Sequence, residues 1–170
     1  MKFIIIPILV VLLDQISKVF IKQYWINNDL FYHKINIIGD YVRLIFIQNP
    51  GIAFGIDTSR YHIYITLLTI FAIIFLSYYL YQLVIEDNYE SLSWSFILGG
   101  AIGNCIDRVL VLIPSYNYNG VIDFIDIGIN QYRWYTFNLA DASITIGLVI
   151  YIYQTYFLKL NKLVEEENTI

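Results

Sequence analysis

The sequence predicts an all-α polytopic membrane protein, four transmembrane helices with a small β-sheet outside the bilayer, and three observations carry that expectation. The chain is too apolar for a soluble domain: 58% of its 170 residues are hydrophobic and 14% charged, with a mean hydropathy of +0.61. Four stretches, near 3–21, 61–85, 93–113 and 138–158, approach the roughly 20 apolar residues that a helix needs to cross hydrocarbon. Between the first two stretches lie runs of strand composition.

The first span runs into Asp14, Gln15, Ser17 and Lys18 with no small-residue cleavage site after it, so it is expected to remain in the mature protein. Asp14 and Lys18 share a helical face at four-residue spacing, either as a self-neutralising pair near the interface or as ligand contacts. The connection 22–60 contains Lys34-Ile35-Asn36-Ile37-Ile38 and Tyr41-Val42-Arg43-Leu44-Ile45-Phe46-Ile47, joined through Gly39-Asp40. That pattern reads as a hairpin or small sheet lying on the membrane. The short acidic link Glu86-Asp87-Asn88-Tyr89-Glu90 makes spans two and three antiparallel neighbours.

Span three carries Gly99 and Gly103 at a spacing that lets another helix approach closely, and Gly100, Asn104 and Arg108 along one polar stripe. Asp107 and Arg108 read as a satisfied pair at the helix end, or as part of a site. The connection 114–137 holds Pro114, Gly120, Gly128, several tyrosines and Asp123, and is expected to be an ordered surface segment with active-site groups. In span four Asn138, Asp141 and Thr145 fall on one face, with Asn138 also suited to cap the helix. Residues 1–170 thus form a single membrane domain without internal repeats.

Composition excludes several function classes. The net charge of −4 is spread over loops and the tail Glu165-Glu166-Glu167, so no basic field points to nucleic acid. A single cysteine, Cys105, has no histidine beside it to activate it and reads as a packing residue. His33 and His62 stand apart, without ligand spacing, so no metal and no cofactor is expected. Sixteen tyrosines and three tryptophans suit interfacial anchoring.

The features left to explain are carboxylates in or beside hydrocarbon-grade sequence, Asp123 and Asp141. If Asp123 reaches the start of span four, two carboxyls share one site and one proton. The ionised member then activates water against a peptide carbonyl that the protonated member polarises. Asp126, three residues from Asp123, is a rival that spacing does not eliminate. Two other classes compete: a small proton or ion transporter or channel subunit using Asp14, Asp141 and Arg108, and an assembly protein pairing through Gly99 and Gly103. The crowding of Asp123, Asn138 and Asp141 at one end favours the peptidase.

Five ordered motifs sharpen this: Asp14-Gln15-Ile16-Ser17-Lys18, Asn49-Pro50-Gly51-Ile52-Ala53-Phe54-Gly55, Gly99 through Arg108, Val121-Ile122-Asp123-Phe124 and Phe137-Asn138-Leu139-Ala140-Asp141. Together they resemble the bacterial lipoprotein signal peptidases, the signal peptidase II family. The resemblance implies an aspartic endopeptidase that removes the signal peptide of diacylglyceryl-modified prolipoproteins just before the lipidated cysteine. It selects Asp123 and Asp141 as the catalytic pair, and gives Asp14, Lys18, Asn49, Gly51, Asn104, Arg108 and Asn138 supporting roles in ordering the pair and binding substrate. It further implies a sheet that cradles the substrate and a short covering segment, with membrane lipid and the prolipoprotein as partners of a monomer. The site would face outward from the bacterial cytoplasmic membrane, with both termini cytoplasmic. Charge alone barely orients the chain, because Lys2, Lys159 and Lys162 are matched by Lys34, Arg43, Arg60 and Arg133 on the other side. One departure is the link between Arg108 and Asp123, longer than the family's usual one.

Overall fold

The computed structural model describes residues 2–30, 33–50 and 61–158. In chain order they form α1 (Lys2–Asn27), β1 (Ile35–Ile38), β2 (Val42–Asn49), α2 (His62–Ile85), α3 (Ser91–Val111), a 3-10 turn (Pro114–Tyr116), β3 (Val121–Ile129), β4 (Tyr132–Arg133), α4 (Leu139–Tyr153) and a π-helical turn (Gln154–Leu158). Among the described residues three helices are long and apolar enough to cross a bilayer: Ile4–Asn27, His62–Ile85 and Ser91–Val111. The fourth expected span is an α-helix of 15 residues that continues as five π-helical residues.

α3 is the hub, packed against α1, α2 and α4. Its glycines explain the closeness. A methyl group at Gly99 would lie 2.8 Å from Val10 Cβ, and one at Gly103 would lie 2.7 Å from Asp14 Oδ2, while one at Gly100 would run into the Ala140 carbonyl. The expected small-residue step therefore receives α1, and the stripe beside it receives α4. α2 covers α3 from outside and buries only Thr66, Leu80 and Leu83, leaving Phe71, Ile74 and Phe75 exposed, as a lipid-facing helix requires.

α1 runs past its expected end near residue 21 to Asn27. Ile21 and Trp25, four apart on one face, are buried against Ile122 and Phe124 of β3. Each such burial contributes about 1.5–3 kcal/mol, enough to carry the helix through residues first assigned to the connection. The last turns of α1 are the post on which the sheet rests.

The sheet is antiparallel with strand order β1-β2-β3-β4. The expected hairpin is β1 and β2, turning at Gly39, whose φ of +50° is a conformation that side chains resist. The connection 114–137 departs from its expected surface form, because nine of its residues are strand β3, whose first four residues are buried. Pairings Ile47 with Asp123, Gln48 with Ile122 and Asn49 with Val121 bring the Asn-Pro end of β2 beside the aspartate. The long link before β3 is fastened down. Lys22 Nζ donates to the carbonyls of Tyr116 (2.9 Å) and Asn117 (3.2 Å) and lies 3.6 Å from the centre of the Tyr118 ring.

Candidate active site

The site begins with a helix cap. Asn138, in extended conformation before α4, accepts the Asp141 N–H on its side chain at 2.9 Å, and Asp141 Oδ2 accepts the Asn138 N–H at 3.3 Å. This reciprocal capping box fixes Asp141 at the third position of the first turn, where the helix dipole favours an anion. The capping role anticipated for Asn138 and its site role are one arrangement.

β3 delivers the second carboxylate. Asn49, paired with Val121, is the diagonal neighbour of Asp123, and its Nδ2 donates to Asp123 Oδ2 at 3.0 Å. Asn138 Nδ2 donates to Asp123 Oδ1 at 2.7 Å, so one residue caps the helix of Asp141 and holds Asp123. Asn104 completes the bridge, donating to Asp141 Oδ1 at 2.7 Å and accepting from Asn138 at 3.1 Å. Burial pushes Asp123 up to about 6, and the nearby charge of Asp141 acts in the same direction against the hydrogen bonds from Asn49 and Asn138.

The strand also separates Asp123 from Asp126. Side chains alternate along a strand, so residues three apart point to opposite faces. Asp126 Oδ1 accepts from Arg133 Nε at 2.9 Å, and Arg133 also donates to the Asp126 carbonyl and reaches Asp40. Asp40 pairs in turn with Arg43. The acid that spacing left open is committed to an ion network on the far side of the sheet.

Beneath the two aspartates lies a buried ionic cluster. Asp14, Lys18 and Asp107 are fully buried, with Lys18 Nζ 2.8 Å from Asp14 and 3.0 Å from Asp107. Asp107 is thus the partner of Lys18 on α1, which corrects its assignment to Arg108. Asn104 Oδ1 takes a further bond from Lys18 at 3.1 Å, so its amide is committed on both ends. Arg108 donates to the Asn104 carbonyl at 3.1 Å and, with Asn49, Pro50, His62, Ile65, Val111, Gly120 and Val121, lines a small cavity. Cys105 is buried. Gly51 lies outside the described residues.

Sequence reasoning missed the weight of Asp107 and Gln15 and the place of His62 at the cavity. Asp107 follows Asn104 by three residues and so shares its side of α3, a signal that was present. Farther along the bundle the buried polar side chains are neutral, and Ser91, Ser93, Ser95, Ser143 and Gln154 each donate to a backbone carbonyl. Among the described residues, the polar groups give a site at one end of the bundle and no relay along it, which counts against a transporter.

Comparison with known proteins agrees with this geometry. Residues 6–157 match the sequence pattern of the family described as signal peptidase (SPase) II. The chain is 32% identical over 161 residues to a lipoprotein signal peptidase of Blochmanniella pennsylvanica, covering 92% of this chain and 90% of that one. It is 34% identical over 154 residues to a lipoprotein signal peptidase of Moorella thermoacetica, covering 91% and 92%. A solved structure, described as a bacterial membrane enzyme determined by the in meso method at 2.3 Å, superposes with a TM-score of 0.72 at 31% identity, covering 95% of this chain and 90% of that one.

Proposed function

This chain belongs to the signal peptidase II family, and from that premise we propose that Asp123 and Asp141 are its catalytic pair. The chain is an aspartic peptidase that cleaves signal peptides from lipoproteins. The observation that carries the assignment of the pair is that two carboxylates are held from three sides by the neutral amides of Asn49, Asn104 and Asn138, with no cation bonded to either among the described residues. Amides orient a carboxyl without fixing its charge, so a proton can be shared.

With one proton on the pair, the ionised member takes a proton from water as its oxygen attacks the scissile carbonyl, and the protonated member polarises that carbonyl. Collapse of the tetrahedral intermediate breaks the C–N bond as the leaving amine is protonated. Arg108 and Asn49, which both line the cavity, are the groups for positioning the peptide backbone; Asp14, Lys18, Asn104 and Asn138 order the pair from beneath. Gly51 is assigned to the pocket by its motif.

The substrate is a diacylglyceryl-modified prolipoprotein cut just before its lipidated cysteine. Its acyl chains remain in hydrocarbon, and the peptide meets the polar end of the bundle. Residues 139–158 complete a fourth span, which returns the C-terminus to the cytoplasmic side where Lys2 begins α1, in a monomer of the cytoplasmic membrane with its site facing outward. Exposed Ile127, Ile129 and Tyr132, on the face of the sheet that carries Asp123, support a sheet resting on outer-leaflet lipid. The test is cleavage by purified enzyme of lipidated and unlipidated prolipoprotein, beside Asp123→Asn and Asp141→Asn. The proposal requires turnover of the lipidated substrate by wild type alone, and efficient cleavage of the unlipidated one would overturn the role of the acyl chains.

A further inference from the structure

Lys18 is fully buried, and each of the three donors of its ammonium has an acceptor: Asp14 Oδ2, Asp107 Oδ2 and Asn104 Oδ1. The two carboxylates also reach away from it. Asp14 Oδ1 accepts the backbone N–H of Ala140 at 2.9 Å, and Asp107 Oδ2 accepts that of Ile122 at 3.1 Å. Ala140 immediately precedes Asp141, and Ile122 immediately precedes Asp123. One ammonium on α1 therefore anchors two struts, and each ends on the peptide unit beside one of the two aspartates. Gln15 braces them, its Nε2 lying 3.1 Å from Asp14, 3.2 Å from Asp107 and 3.0 Å from the Gly103 carbonyl.

We infer that Lys18, acting through Asp14 and Asp107 with Gln15 as brace, is a positioning residue that sets the spacing of Asp123 and Asp141. This rests on the reading of those aspartates as the catalytic pair. β3 and the residues that lead into α4 are joined directly by the Ile125–Phe137 bridge and by the Asn138 bonds to Ile122 and Asp123, and the two struts brace the same junction from α1. Two neutral acceptors would satisfy the same N–H groups, and apolar residues would fill the volume at less desolvation cost. What the ionic version adds is short, charge-assisted bonds that resist stretching. That stiffness matters where a misplacement of about 1 Å costs on the order of 10² in rate.

The test compares full-length wild type with Asp107→Asn and with the uncharged triple variant Asp14→Asn/Lys18→Met/Asp107→Asn, which leaves no buried charge unpaired. Arg133→Ala, whose side chain belongs to the remote ion network, serves as a variant of lowered stability. The readouts are kcat and KM per folded molecule on lipidated prolipoprotein, and the pH profile of kcat/KM. Loss of positioning lowers kcat by about 10² in the triple variant and about 10-fold in Asp107→Asn, where an acceptor for Ile122 survives, with KM within about threefold. In Asp107→Asn, which keeps Lys18, relaxation of the carboxylates apart weakens their repulsion, so the fall of kcat/KM at high pH moves to lower pH. Arg133→Ala loses stability with kcat and pH profile unchanged. Wild-type kcat and pH profile in the folded triple variant would overturn the inference, as would failure of both network variants to fold, since the cluster would then serve the fold alone. If Asp123→Asn or Asp141→Asn turns over normally, the catalytic pair is wrong, a result independent of these variants.

Discussion

The two faces of β3 hold acids of nearly equal burial and opposite fate. Asp123 is 4% exposed and Asp126 5%. Asp123 lies on the face of β3 that meets the amides of Asn49 and Asn138; Asp126 lies on the opposite face, with Ile122 and Phe124, and meets the guanidinium of Arg133. A cation at bonding distance favours the charged carboxylate and keeps it charged, whereas a neutral amide fixes the position and leaves the proton free to come and go. The difference between a structural and a chemical carboxylate is made by the partner rather than by burial.

The largest expected effect tests that contrast directly. Asp123→Asn and Asp141→Asn should each lower kcat by at least 10²–10⁴, as loss of a general acid or base does, and the double variant should be about as inactive as either single one. Asp126→Asn should keep substantial activity, and equal loss there in a cleavage assay would reverse the assignment.

Next come the groups around the pair. Asn104→Ala removes the donor to Asp141, and Arg108→Ala empties one wall of the cavity, so each should reduce kcat/KM by roughly 10². Cys105→Ala, one residue along and turned about 100° away on the helix, should leave kcat/KM within about threefold. A Cys105→Ala defect matching Arg108→Ala in steady-state kinetics would refute this account of the pocket.

The pH profile sharpens the comparison further. Asp123 titrates near 6 from its ordinary 3.8, chiefly through burial; the singly protonated pair is thus lost, and kcat/KM falls, as pH rises through that region. The Asn49 hydrogen bond favours the charged form. In Asn49→Ala the proton is held more tightly, and the fall in kcat/KM should begin at higher pH. A profile that moves to lower pH, or does not move, would show that Asn49 does not tune this carboxyl.

The smallest effect on chemistry is expected at the other acid. Arg133→Ala leaves Asp126 buried without its cation and should lower stability by about 2 kcal/mol, read as a drop in Tm, with kcat within about threefold. A large loss of kcat with Tm unchanged would tie the remote end of the sheet to catalysis.

The sequence alone determined what depends on neighbours along the chain. Long apolar runs mark helices because hydrocarbon tolerates little else, and the Asn138 to Asp141 and Asp14 to Lys18 spacings place side chains together through helical geometry. The hairpin of β1 and β2 was legible for the same reason, its turn being set by Gly39. Only the tertiary structure decided which acid joins Asp141. The register of β2 on β3 pairs residues 72 or more positions apart, and a shift of one residue would exchange the faces on which Asp123 and Asp126 lie. The partner of Asp107 is likewise a lysine on another helix, 89 residues back along the chain, brought within 3.0 Å by glycine-lined packing that spacing along one helix does not encode. Local periodicity fixes where a side chain points on its own element, and packing fixes what stands opposite.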